Sequence, residues 1–188
     1  MDIKQQIEDT QLLAQAQTGN KEAFGHLYEK YLDDIYHYLF YRVSNRQDAE
    51  DLTEKVFLKA WRALAKHPPQ QLPFRLWIYR IAHNTAIDYY RTRKESVELE
   101  QIGHVQSEHL KPEQIVTQNE RNQSLLAALK GLKEEHQEVL LCRFVVELTH
   151  SETAAVMERS EGAVRILQYR ALEALRKILL LRGINKND

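Results

Sequence analysis

The stretch LTHSETAAVMERSEGAVRILQYRALEALRK, Leu148 to Lys177, carries two helices across a tight turn, and its reading decides the fold. Thr149 followed by Glu152 is a capping box, so a short helix starts there and runs through Met157. Glu158, Arg159 and Ser160 make the turn. Ser160 is the next N-cap, and Glu161 sits at the positive end of the following helix dipole. That second helix runs to the last turns of the chain with Val164, Leu167, Ala171 and Leu175 inward. Ala154 and Val164 flank the turn at the spacing a helix-turn-helix needs for close crossing. Outward lie Arg165, Ile166, Tyr169, Arg170, Glu173, Arg176 and Lys177. Arginine reaches guanine edges bidentately and both cations hold phosphate, so this face suits a major groove. A plain helical hairpin with a basic solvated face is the competing reading.

A second stretch, FRLWIYRIAHNTAIDYYRTRK from Phe74 to Lys94, puts two stripes on one helical pattern. Phe74, Ile78, Ile81, Ala82, Thr85 and Tyr89 share a face that should meet a core. Beside it Trp77, Arg80, Asn84, Asp88 and Arg91 recur at steps of three and four. Aromatic faces that stack on unpaired bases, interleaved with cations, are what a grip on single-stranded nucleic acid requires. An amphipathic helix with a solvated charged flank is the plainer alternative.

The helix before it, Asp48 to Leu64, buries Ala49, Leu52, Val56, Phe57, Ala60 and Leu64 and crowds Asp48, Glu50, Asp51 and Glu54 into its first turns. Acid there complements the helix dipole, and it also presents carboxylates to a basic partner. Between the two helices, Lys66 to Pro73 is held out of helix by its prolines and forms a loop directly ahead of Phe74. Upstream, helical spacing runs from Thr10 to Val43 through Leu12, Leu13 and Ala16, then Phe24, Leu27, Tyr28, Tyr31, Leu32, Ile35, Tyr38 and Leu39. Gly19 and Asn20 split it into two helices. Tyrosines 28, 31, 36, 38 and 41 read as core rather than a stacking array.

Past Lys94 the chain is polar and weakly periodic. Periodicity resumes at Pro112 with Ile115, Leu125, Leu126, Ala128, Leu129 and Leu132, and a further helix over 134–146 carries Val139, Leu140 and Phe144. The pattern predicts an all-α protein of two small helical domains, residues 1–94 and 112–188, joined by a flexible linker at 95–111.

Composition agrees. Of 188 residues only 6 are Gly and 4 Pro, and Leu, Ala, Glu, Gln, Lys and Arg dominate, which favours long helices over sheet. Net charge is −1, yet basic residues concentrate in Arg75–Lys94 and Arg165–Arg182 while acid gathers elsewhere, leaving local cationic surfaces and an acidic one for another partner. No apolar run reaches membrane-span length and the N-terminus lacks a signal-peptide core, so a cytoplasmic location is expected. Cys142, the single cysteine, excludes an intramolecular disulfide and a thiolate metal cluster and reads as a buried small hydrophobe.

The order of these features resembles the extracytoplasmic-function sigma factors of bacterial RNA polymerase, from Thr10 to Lys177 apart from the linker. DAEDL (48–52) with VFLKAW (56–61) is similar to the sigma-2 helix that docks on the polymerase clamp. Residues 74–91 resemble the promoter-melting, minus-ten-reading helix, and 148–165 the sigma-4 helix-turn-helix that reads the minus-thirty-five element. The resemblance implies a transcription initiation factor that is not an enzyme and needs no cofactor or metal. It places core polymerase on Asp48, Asp51 and Glu54, the melted minus-ten strand along Trp77, Arg80, Asn84 and Arg91, and the upstream duplex along Arg165, Tyr169 and Arg170. Loop 66–73 and Asn84 would form the pocket for a flipped base. Core polymerase, promoter DNA and an anti-sigma factor are the implied partners, and no appended domain after Asp188 is expected.

The chain departs from the family pattern at Glu54 and Lys55, where glutamine and then an acid are usual, and at Glu147 and Glu158, where glycine is common. A left-handed backbone at Glu158 would cost on the order of 1 kcal/mol. Two other functions compete. A stand-alone helix-turn-helix regulator would use the first half as a sensor or dimerisation domain, which leaves the acidic helix and the aromatic-basic helix unexplained. A metal hydrolase built on the eight histidines lacks HExxH, and the chain has no glycine-rich phosphate loop.

Overall fold

The computed structural model describes residues 3–66, 72–100 and 127–181, with side chains from residue 6 in the first segment and to residue 93 in the second. The tip of the proline loop, most of the 95–111 segment, and Ile115, Leu125 and Leu126 lie outside the described residues. The chain divides into two units, Met1–Lys111 and Pro112–Asp188.

Among its described residues the first unit packs four helices: α1 (Ile3–Gln17), α2 (Lys21–Val43), α3 (Arg46–Ala63) and α4 (Phe74–Glu100). The break between α1 and α2 falls at Gly19, where φ is +98°, and Asn20 caps α2 by accepting a bond from the Ala23 N–H. Asn45 does the same for α3 through the Asp48 N–H. A 3-10 turn, Leu64–Lys66, closes α3.

The six residues expected on the buried face of α3 are all inside: Ala49, Leu52, Val56, Phe57, Ala60 and Leu64. Helix α4 buries Phe74, Ile78, Ala82 and Thr85 as its stripe requires, while Ile81 and Tyr89 are only half-buried. Leu76, Tyr79, His83 and Ala86 are buried as well, because α4 packs on α1, α2 and α3 together and a single stripe cannot serve three neighbours. Tyr31 and Tyr38 are core; Tyr36 and Tyr41 are half-buried and Tyr28 is exposed. Helix α4 continues to Glu100, past Lys94.

In the second unit, residues 127–130 are helical and lead through Gly131 to α5 (Glu134–Leu140), a π-helical turn (Leu141–Val145), α6 (His150–Met157) and α7 (Glu161–Leu181). One cluster holds it together: Leu132, Val139, Leu140, Ala154, Met157, Val164, Leu167 and Ala171, with Leu129, Leu175 and Ile178 packed against it. Cys142 is fully buried among these elements. Phe144, which α-helical spacing places inward, is 56% exposed. The wider turn inserts an extra residue and rotates Phe144 and Val145 outward, while Val146 and Leu148 are buried in their place.

Both glutamates that replace expected glycines adopt the left-handed conformation, Glu147 at φ 59° and Glu158 at φ 54°, the latter capping α6. Replacing Glu158 by Gly is therefore expected to stabilise the second unit by about 1 kcal/mol, read as a raised midpoint in urea unfolding. A lowered midpoint would show that contacts of the glutamate side chain outweigh the backbone cost.

Candidate nucleic-acid and protein-docking faces

The outer face of α4 is built on a packed aromatic ladder. The buried Phe74 ring lies 5.5 Å from that of Tyr31, and Trp77 stands edge-on to Phe74 at 5.7 Å. A half-buried indole packed edge-on to a buried ring is positioned before binding and offers aromatic surface suited to stacking. Arg80 is half-buried one turn on, and Asn84, Asp88 and Arg91 are exposed along the same line. Asp88 accepts from Arg91 at 3.2 Å and from Lys59 of α3 at 3.4 Å, and Lys59 also donates to the Thr85 hydroxyl at 3.1 Å. Helix α3 thus adds a cation to this face that the sequence pattern did not single out. Lys59 is the signal, a charge one step from buried Ala60.

The three carboxylates expected to dock a partner divide. Asp51 and Glu54 are exposed, on the side of α3 opposite its buried face. Asp48 turns toward α4, accepting from the Tyr89 hydroxyl at 2.7 Å with Arg93 at 3.7 Å. Glu50 is occupied by Arg46 at 2.8 Å. Along the same outer face as Asp51 and Glu54, Leu58 is 44% and Trp61 38% exposed, so an acidic end grades into an apolar one. Trp61 meets the Phe24 ring at 4.9 Å, and exposed Tyr28 meets Phe57 at 4.7 Å. Leu58 and Trp61 were legible as candidates: both fall off the apolar stripe, at Glu54 plus four and plus seven.

Burial, together with its bond to Asp48, pushes the Tyr89 hydroxyl up to about 12. Burial and the Asp9 carboxylate raise Tyr31 further. A phenol whose pKa rises on folding keeps its proton in the folded chain while the unfolded chain releases it from about pH 10, so its contribution is complete below that pH and is lost as pH climbs toward about 12. Between those values the thermal midpoint of the wild type should fall more steeply than that of Tyr89→Phe. Parallel slopes would remove Tyr89 from the titration.

In the second unit, buried Val164, Leu167 and Ala171 fix the rotation of α7, so Arg165, Tyr169 and Arg170 face solvent, Tyr169 with 69% of its surface exposed. Ser160 caps the helix by accepting from the Ala163 N–H at 3.2 Å. Arg165 is held along the surface by Glu161, with Nη2 at 2.5 Å and Nε at 3.2 Å from the same carboxylate oxygen. Behind this helix Arg143 donates to the Gln168 side chain at 3.0 Å and to the Leu148 carbonyl, tying α7 to the π turn. The structure brings Trp77, Arg80, Asn84 and Arg91 onto one face of the first unit and Arg165, Tyr169 and Arg170 onto one face of the second. Loop residues 67–71, expected to complete a base pocket with Asn84, lie outside the described residues. Among the described residues no group of three or more His, Cys, Asp or Glu is placed to hold a metal ion, and no helix is long and apolar enough to cross a membrane.

Comparison with known proteins covers both units. The family model for sigma-70 region 2 matches residues 27–96, and that for sigma-70 region 4 matches residues 128–177. The ECF RNA polymerase sigma factor BldN of Streptomyces coelicolor is 36% identical over 90% of this chain, which spans 65% of BldN's own length. The RNA polymerase sigma factor YlaC of Bacillus subtilis is 32% identical over 84% of this chain and 92% of its own. Among solved structures, CnrH in complex with the cytosolic domain of CnrY superposes with a TM-score of 0.69 at 28% identity, covering 92% of this chain and 97% of CnrH.

Proposed function

This chain belongs to the extracytoplasmic-function sigma factors of bacterial RNA polymerase, and we infer that it binds core polymerase, directs it to two-part promoters and captures the opened strand. The observation that carries the inference is the pairing, on one unit, of the acidic-to-apolar outer face of α3 with the aromatic and cationic outer face of α4. A regulator that used only a helix-turn-helix would need neither.

Each face has a role that its chemistry supports. Asp51 and Glu54 offer carboxylates to a basic docking surface, with Leu58 and Trp61 adding apolar area, and Asp48 sets that helix against α4 through Tyr89. Trp77 stacks an unpaired minus-ten base, Arg80 and Arg91 hold its backbone, and Asn84 offers an amide to a base edge. On the upstream duplex Arg165 reads a base while Tyr169 and Arg170 contact phosphates. Residues 1–94 would then serve polymerase and the minus-ten element, 95–111 the connection, and 112–188 the minus-thirty-five element. No covalent step is needed: the chain acts by binding, in the cytoplasm where polymerase works. CnrH is in complex with the cytosolic domain of CnrY in its structure, and a protein partner that covers these faces, an anti-sigma factor, is proposed here.

The test is a footprint with and without core polymerase. Protection of both promoter elements only when core and the chain are combined supports the reading. Full upstream protection by the chain alone, unchanged by core, would favour the stand-alone regulator.

A further inference from the structure

Helix α1 lies before residue 27 and so outside the segment matched by region 2, yet it carries a buried carboxylate on its apolar face. Asp9 is 2% exposed and lines up with buried Leu13 and Ala16 at helical spacing. An apolar side chain at such a position would serve stability as well or better, since a buried ion pair is a weak stabiliser. What the carboxylate adds is direction. Its two oxygens accept from neighbouring residues of α2, one from the Lys30 ammonium at 2.5 Å and the other from the Tyr31 hydroxyl, which fixes the Tyr31 ring in place.

That ring is the wall on which Phe74 sits, and Phe74 in turn supports Trp77. Eight residues along α1 from Asp9, Gln17 donates its amide to the Leu64 carbonyl at 3.1 Å, in the turn that closes α3. Leu64 and Phe74 are the last buried residue before the proline loop and the first after it. Directly through Gln17 and indirectly through Tyr31 of α2, one helix therefore bears on both chain segments that lead into the outer face of α4.

We propose that α1 is a positioning element for the promoter-reading face of α4, with Asp9 setting the Tyr31–Phe74–Trp77 stack and Gln17 the end of α3. The proposal rests on the function inferred above. A reading surface made of one indole, two guanidinium groups and one amide discriminates bases only while these groups hold their places. Displacing the stack by a fraction of a ring width lowers selectivity at the minus-ten element and leaves α3's outer face and the second unit untouched.

The experiment uses core polymerase with the full chain on templates randomised at both promoter elements, sequencing the transcribed templates. Asp9→Ala and Gln17→Ala should each lower preference at the minus-ten element by roughly tenfold. Preference at the upstream element and affinity for core should stay at the wild-type level. Asp9→Asn keeps an acceptor for Tyr31 and should recover most of the loss. Thermal unfolding of each variant accompanies the assay, and half-buried Gln17 is the substitution that spares the core. Wild-type minus-ten preference in folded Asp9→Ala and Gln17→Ala overturns the proposal, as does an equal loss at both elements and in core binding. A wild-type chain that shows no promoter preference overturns the function inferred above and this inference with it, whereas failure of the variants alone leaves that function standing.

Discussion

Arg165→Ala is expected to cost about 1–3 kcal/mol in recognition of the upstream element, concentrated at one or two base pairs. The expectation follows from the rotation of α7: Val164 and Leu167 are buried on either side, so Arg165 has no alternative but the outer face near the start of the recognition helix. In the free chain its guanidinium lies on Glu161. That exposed pair is worth only a few tenths of a kcal/mol, so a guanine edge easily displaces it. Replacing Arg170, proposed above to hold phosphate, should instead weaken binding evenly across sequences and flatten its salt dependence. The assay is holoenzyme binding to a panel of single-base variants of the upstream element. An unchanged preference profile for Arg165→Ala would reduce this residue to a surface cation.

Asp51→Ala should weaken binding to core polymerase on the order of tenfold, about 1.4 kcal/mol, without unfolding the chain. Two explanations of the acid-rich start of α3 are separated by this substitution. If the carboxylates served only the helix dipole, losing one would cost about 0.3–1 kcal/mol of helix stability and nothing in docking. The structure leaves the start of α3 well served without Asp51, since Asn45 caps it and Asp48 bonds to Tyr89. Circular dichroism should therefore be unchanged while a core-binding titration shifts. Loss of helicity with unchanged affinity would restore the dipole explanation.

Much of this was legible in the residues. The buried face of α3, the capping box at Thr149, and the inward set Val164, Leu167 and Ala171 follow from helical spacing and short-range capping, which depend on near neighbours in the chain. The outward placement of Trp77, Asn84, Arg165 and Tyr169 follows as the complement of those faces. What escaped depends on partners far apart in sequence. Nothing local to Asp9 announces that Lys30 and Tyr31 will meet it, and nothing local to Asp48 announces Tyr89 from α4. Phe144 escaped for another reason. Its spacing is right for an α-helix, and a single π turn, set by packing of the whole second unit, moves it to the surface. Glu147 and Glu158 show the reverse case: a position where glycine is common carried the backbone geometry although the residue itself disfavours it.

The most direct test of the account is transcription in vitro by core polymerase on a genomic fragment library, with and without this chain. Initiation at a discrete set of start sites that share a two-part upstream pattern, present only when the chain is added, is the predicted result. If transcripts start at the same places and in the same amounts without it, while the chain alone still binds DNA, the chain is not an initiation factor.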